Sequence, residues 1–281
     1  QDRILSFAMK KKLVLFCSLL MLVSALALDV ARAEGPRAAL DGARAGEVVK
    51  VKAPKKFITR IIDGTAVART SIPVVQININ TSQGQFLCSG TMVAQDVVLT
   101  ARHCVTNRAS DHVVNLKGRR YGVSRVRIHP SAREVSNGSI IYDIALLYLR
   151  RNPKSNYFPI ITSRSAQPGD SIYIYGYGLD ENGDTQRLKA GRMTVARTSS
   201  RWVFANFTGD GDSNTCEGDS GGPAFGSYQD SNGIEYLGLV GATAGGYRED
   251  CGVGDESYFT NLQSSTALNF LRRNIRSLAR R

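Results

Sequence analysis

From Ile61 onward the chain is written in short runs of apolar and β-branched residues broken by polar clusters. The runs "IPVVQINI" (72–79), "DVVLTA" (96–101), "YGVSRVRI" (121–128), "IALLYL" (144–149) and "SIYIYGYG" (171–178) are rich in Val, Ile, Thr and Tyr. Gly, Asn, Asp and Ser separate them, so the pattern predicts many short strands joined by turns, an all-β sandwich or a pair of barrels. Near the end the period changes. Leu268, Leu271, Ile275 and Leu278 recur at helical spacing around "LRRNIRSLARR", which predicts a docked amphipathic helix with a solvated basic face. No fixed-period repeat is present.

The N-terminal part reads differently. Met9 is followed by Lys10, Lys11 and Lys12, an uncharged run from Leu13 to Leu28, and then Ala31-Arg32-Ala33. A basic stretch, an apolar stretch and a small-x-small site are the parts of an export signal, expected over 1–33 with cleavage after Ala33. Gln1 to Ala8 would then be an upstream extension of the reading frame. The apolar run is shorter than the roughly 20 residues that a spanning helix needs, so no stable membrane insertion is expected after the signal leaves. A secreted or periplasmic protein follows. Residues 34–60, rich in Ala, Gly, Lys and Arg without a period, read as a flexible pro-segment.

Length and charge narrow the classes further. At 281 residues the chain can bury a sizeable core in one large β domain or two ordinary ones. The formal charge of +12 suggests a polyanion partner only until it is divided. Residues 1–60 hold twelve Lys/Arg and five Asp/Glu, which leaves +5 beyond Arg60. That argues against a nucleic-acid-binding or membrane-associated protein. Cys17 lies inside the signal; Cys88, Cys104, Cys216 and Cys251 remain. An even number in an exported chain favours two disulfides, with three pairings open. No CxxC or HxxxH spacing supports zinc.

The stretch "CEGDSGGPAF" (216–225) sets an acid directly before Ser220 and two glycines after it. Such residues make ordinary turns, yet they also suit a nucleophilic serine whose neighbouring amides point at a reacting oxygen, provided a base and an orienting acid exist elsewhere. Only three histidines are available. His112 lies in a polar segment and His129 precedes Pro130, so both read as surface or packing residues. His103 follows "DVVLTA" and adjoins Cys104, where a disulfide can hold its backbone. Asp143 opens "DIALLYL"; a carboxylate at the edge of a buried strand needs a partner, and an imidazole N–H supplies one.

"TARHC", "DIALL" and "CEGDSGGP", in the order His, Asp, Ser, resemble the trypsin/chymotrypsin family of secreted serine endopeptidases, and the likeness runs from "RIIDG" (60–64) to the terminal helix. The resemblance implies two six-stranded antiparallel β-barrels with a C-terminal helix over 61–281. It implies His103 as base, Asp143 as its orienting acid, Ser220 as nucleophile, and the amides of Gly218 and Ser220 as an oxyanion hole. It also implies disulfides Cys88–Cys104 and Cys216–Cys251. Asp219 is expected to pair with the α-amine of Ile61, released when an activating trypsin-like protease cuts after Arg60. The expected function is thus a zymogen-activated endopeptidase hydrolysing protein or peptide substrates through an acyl-enzyme. It should act as a monomer with no metal or other cofactor. The alternative is a non-catalytic binding or adhesion protein on the same fold.

The sequence departs from the family pattern in places. Arg102 precedes the histidine where Ala is usual, Gly241 stands where a serine commonly supports the triad acid, and Ala242 where a tryptophan lines the substrate groove. The expected floor of the substrate pocket is Asn214, with Thr215, Thr243 and Ser257 as walls. Asp255 and Glu256 are near enough in sequence to add a charge. A neutral polar floor argues against a simple Arg/Lys preference.

Overall fold

The computed structural model describes residues 61–62, 65–66, 72–160, 164–180, 182–185, 187–229 and 235–275. The export signal, the pro-segment, Arg60, Asp63 and Leu278 lie outside the described residues. After a short strand β1 (Thr65–Ala66) come β2 (Val74–Thr81), β3 (Gly84–Ala94), β4 (Val97–Thr100), β5 (His112–Leu116) and β6 (Arg119–Ile128). A two-residue pair, β7 (Arg133–Glu134) and β8 (Ile140–Ile141), leads to β9 (Ala145–Leu149). Strands β2, β3, β4, β9, β6 and β5 close into an antiparallel barrel in that order. The second half supplies β10 (Ser171–Gly176), β11 (Lys189–Thr198), β12 (Trp202–Asn206), β13 (Pro223–Gln229), β14 (Glu235–Gly246) and β15 (Glu256–Asn261). They pair in the order β11-β10-β13-β14-β15-β12, and β12 returns to β11, so this sheet also closes as six strands, with β1 added along β11. Each apolar run quoted above lies on one of these strands.

Closure removes sheet edges, and the alternation decides what each strand faces. In β2 the burial follows the period of two, with Val75, Ile77 and Ile79 inside their barrel. In β4 every residue is buried, because one face fills the first barrel and the other meets the second. Ile77, Met92, Val114 and Leu147 fill the first barrel, and Ile172, Met193, Val203 and Phe259 the second, joined there by Ile61. A third cluster takes Val74, Leu99 and Leu146 from one barrel and Tyr175, Phe225 and Leu239 from the other. That cluster fixes the cleft between them. The helix α1 (Ser265–Asn274) starts at the N-cap Ser264, whose hydroxyl accepts from the amide of Ala267. It buries Ala267, Phe270 and Leu271 and leaves Arg272 and Arg273 exposed. Tyr148 donates to the carbonyl of Asn274 at 2.7 Å and docks its end.

Candidate active site

His103 sits just past β4, after the fully buried Ala101, and its neighbour Cys104 is bonded to Cys88 in β3. The disulfide joins the turn to a barrel strand. Asp143 precedes β9 and follows Tyr142, whose φ of 51° turns the chain sharply enough for the Ile144 amide to reach the Tyr142 carbonyl at 2.7 Å. The carboxylate is 1 % exposed, against 32 % for the His103 side chain. Both of its oxygens are engaged by one residue: Oδ1 accepts from the His103 amide at 2.9 Å and Oδ2 lies 2.6 Å from Nδ1. A carboxylate only accepts, so Nδ1 carries the proton and Nε2 of the neutral ring is left basic, facing the cleft. Arg102 is half-buried and makes no ion pair with Asp143; among the described residues His103 alone does so.

The Ser220 loop is held from both barrels. Ser89 of β3 donates its amide to the Ser220 carbonyl and its hydroxyl to the Gly218 carbonyl, each at 2.9 Å, while its Oγ accepts from the Tyr177 amide. Thr100 donates to the Ser89 carbonyl at 2.8 Å, and on the far side the Gly221 amide reaches the Thr243 carbonyl at 2.8 Å. Gly218 has φ 91°, and a Cβ there would lie 2.8 Å from the Gly178 Cα. Only glycine accepts both constraints. Among the described residues the amides of Gly218 and Ser220 donate to no protein acceptor. They adjoin a cavity of about 900 Å³ lined also by His103, Leu87, Leu179 and the exposed Phe86.

Asp219 points away from this cavity and is buried. Its Oδ2 accepts from the Cys216 amide at 3.0 Å and its Oδ1 from the Gly178 amide at 2.8 Å. Burial pushes its carboxyl up to about 6, against the pull of those two amides and of Lys189. Ile61 is buried in the second barrel, and the Ile62 carbonyl accepts from the Asn214 amide at 3.0 Å, five residues before Asp219.

Of the expected pocket residues, Asn214, Thr215 and Ser257 form one buried network. Ser257 donates to Asn214 Oδ1 at 2.7 Å and lies 2.7 Å from Thr215 Oγ1. Thr243 stands apart, its amide and hydroxyl both on the Gly222 carbonyl. A Cβ at Gly241 would meet Phe259 and Ala224, with the Thr260 carbonyl at 3.5 Å; Thr260 in turn donates its hydroxyl to the Asp143 carbonyl. Ala242 is wholly buried in the core cluster between the barrels. His112 and His129 are buried packing residues.

Sequence reasoning missed three participants. Ser89 looked like one polar residue in a strand. Lys189, 3 % exposed, forms a buried pair with Asp180 at 2.9 Å and also reaches the Gly178 carbonyl. Asp255, named only by proximity in sequence, is bonded to Asn214 at 2.8 Å, whereas Glu256 pairs with Arg197 on the surface. The donor atoms of Cys88, His103 and Cys104 cluster within 4.8 Å, but both sulfurs belong to a disulfide, which leaves a single ligand. The second disulfide joins Cys216 to Cys251.

Comparison with known proteins agrees with this architecture. The Trypsin family model matches residues 61–268. Bovine chymotrypsin-like elastase family member 1 is 31% identical over 195 residues, 58% of this chain and 72% of its own length. The vitellin-degrading protease of Bombyx mori is 28% identical over 194 residues, 58% of this chain and 70% of its own. Bovine coagulation factor XI is 26% identical over 229 residues, 70% of this chain and 35% of its own. With its paired six-stranded barrels and a family match over most of its length, the chain belongs to the trypsin family of serine proteases.

Proposed function

We propose that the protein is an exported serine endopeptidase, made as a zymogen and activated by cleavage after Arg60. The observation that carries this reading is the convergence on one cleft of the Asp143-bound His103, Ser220 and the two undonated amides of Gly218 and Ser220. In the reaction Ser220 Oγ attacks the scissile carbonyl while His103 Nε2 takes its proton. Asp143 holds the ring in the Nδ1-protonated form and stabilises the imidazolium. The carbonyl oxygen, now anionic, accepts from the two amides, each such donor contributing on the order of 10²–10³ in rate. The imidazolium protonates the leaving amine, and water, activated by the same base, releases the acyl group.

Activation follows from Asp219. In the uncleaved chain Ile61 is an internal residue with no ammonium to offer, and the buried carboxylate has two amides but no ion-pair partner among the described residues. A new α-amine at Ile61, beside the side chain already buried in the second barrel, supplies the missing charge and holds the loop that aims the Gly218 amide. The test is fluorophosphonate labelling before and after treatment with a trypsin-like protease. Labelling of Ser220 should depend on treatment, vanish in Ser220→Ala, and fail in Arg60→Gln. A correctly cleaved, folded chain that does not label would favour the non-catalytic binding protein instead.

A further inference from the structure

We infer that the outer face of the first barrel, along β6 and onto the end of α1, is a docking surface for a linear sulfated polysaccharide that holds the protein while leaving the cleft beside Ser220 free. The inference concerns binding alone and stands whether or not the endopeptidase reading does.

The charge of +5 beyond Arg60 conceals a segregation. Between Asp111 and Glu134 the chain carries six Lys/Arg and no acid, and past Glu256 the described residues add Arg272 and Arg273, again with no acid. Without those eight, the chain beyond Arg60 holds 16 Lys/Arg against 19 Asp/Glu, an excess of acid. The fold brings the two basic segments together. In β6, Tyr121, Val123, Val126 and Ile128 pack into the first barrel, so the exposed Arg120, Arg125 and Arg127 stand on its outside. Gly122 offers no side chain to that row, and Arg150 covers the gap: its Cδ lies 3.3 Å from where a Cβ would stand, and its Nε donates to the Val123 carbonyl at 3.2 Å. Arg125 sits over the Tyr148 ring, 3.9 Å from its centre, and Tyr148 is bonded to the end of α1. From Arg120 to Arg127 the row covers roughly 20 Å at about 3.4 Å per residue. Beyond Arg127 it runs into a groove of about 450 Å³ between β6 and α1, where Arg273, Ser131, Thr266 and Asn269 are exposed or half-buried.

No carboxylate of the described residues neutralises this row. Arginine ion pairs form there at Arg164, Arg192, Arg197 and Arg248; none involves Arg120, Arg125, Arg127, Arg150 or Arg273, and no acid lines the groove. Tyr148 senses the field: burial raises its hydroxyl pKa, and the opposing pull of Arg125 and Arg127 exceeds the push of Asp96. Cations set in a line repel one another until a polyanion crosses them. Guanidinium forks suit the oxygens of sulfate and phosphate groups, which accept paired N–H bonds. The rest of the surface selects among such polymers. Single-stranded nucleic acid needs aromatic faces on which its bases stack, and here Tyr148 is covered by Arg125 while Tyr121 packs into the barrel. The hydroxyls of Ser131 and Thr266 and the amide of Asn269 both donate and accept, which suits sugar hydroxyls. The groove shares no lining residue with the cavity beside Ser220, so a chain bound here leaves that cavity open.

The test is calorimetry of the full chain with a sulfated heparin octasaccharide. Raising NaCl from about 50 to about 200 mM should weaken binding at least about 50-fold, as expected for four or more contacts releasing about 0.7 counterion each. Replacing Arg120, Arg127 and Arg273 together by Gln should weaken binding at least about 10-fold and lower the salt slope by roughly 2. The same change at Arg192, Arg201 and Arg248 removes equal charge from the second barrel and should cost less than about 3-fold, which separates this surface from net charge and from the basic residues before Ile61. All six positions are exposed, and thermal melting checks each fold; Arg127→Gln alone should still weaken binding at least about 2-fold. A single-stranded oligonucleotide of equal charge should bind at least about 10-fold more weakly than the octasaccharide. Saturating octasaccharide should leave fluorophosphonate labelling of the cleaved protein unchanged. No binding, equal losses in the two triple variants, tighter binding of the oligonucleotide, or labelling blocked by the octasaccharide would overturn the inference. Cleaved protein that binds the octasaccharide but never labels sinks the endopeptidase reading and leaves the docking surface standing.

Discussion

Cleavage after Arg60 should stabilise the folded protein, and by an amount that depends on pH in a defined way. In the uncleaved chain burial raises the Asp219 carboxyl from 3.8 to about 6. Between those values the folded state holds a proton that the unfolded chain has lost, so this contribution is complete below pH 3.8 and disappears as pH rises through 6. At about 1.4 kcal/mol per decade of proton affinity, ionised Asp219 costs the uncleaved fold about 3 kcal/mol at neutral pH. An ammonium at Ile61 removes that cost. Cleaved protein should therefore be more stable than uncleaved by about 3 kcal/mol at pH 7, roughly 6–12 °C in Tm for a domain of this size. The gap should shrink toward zero at pH 4, where the carboxyl is neutral. It should close again in alkali as the amine, with a reference pKa of about 8 raised by pairing, loses its proton. Denaturant titration of both forms at pH 4, 7 and 10, with Asp219→Asn as control, measures it. A gap as large at pH 4 as at pH 7, or none at pH 7, refutes the reasoning, and a gap retained in Asp219→Asn assigns the effect to another group.

Three further outcomes follow from the same geometry. Gly218→Ala, which forces a Cβ against Gly178 at a φ of 91°, should reduce labelling and peptide hydrolysis by roughly 10²–10³-fold through the loss of one aligned donor, while both disulfides stay intact by mass. Lys189→Met leaves Asp180 buried without its partner and should destabilise the protein by about 3–5 kcal/mol in urea; Lys189→Met with Asp180→Asn should recover part of it. His112 and His129 both have their pKa lowered from 6.5 by burial. The folded state thus resists protonation, and the stability they support is present above pH 6.5 and lost as pH falls below it. Replacing both with Gln should flatten the acid limb of the stability profile below pH 6.5.

Much of the architecture was legible along the chain because strands report themselves locally. "SIYIYGYG" alternates in burial as β10 does, and "IALLYL" reads as a strand buried on both faces, as β9 is. The helix was visible from the spacing of Leu268, Leu271 and Ile275, although it begins at Ser265, ahead of the quoted basic stretch. His103, Asp143 and Ser220 could be singled out because each has a chemical reason to be unusual in its own run, and the family order joined them. The register shifts in β14, opposite Ala224/Phe225 and between Thr243 and Gly245, have no residue-level signature and appear only in the fold.

What the sequence by itself determined is therefore whatever a residue's immediate neighbours decide: the strands, the glycines that permit the Ser220 loop, and a nucleophile, base and acid of the right kinds. What only the tertiary structure decided is which distant groups share a dielectric. Ser89 closes on residues 129 and 131 positions away. Asn214 looks neutral in "SNTCEG" and becomes the first contact of a buried carboxylate 41 residues later. Electrostatic character at a site is set by the uncompensated charges within a few ångströms in a low-dielectric interior, and chain folding, not order along the chain, brings those charges together.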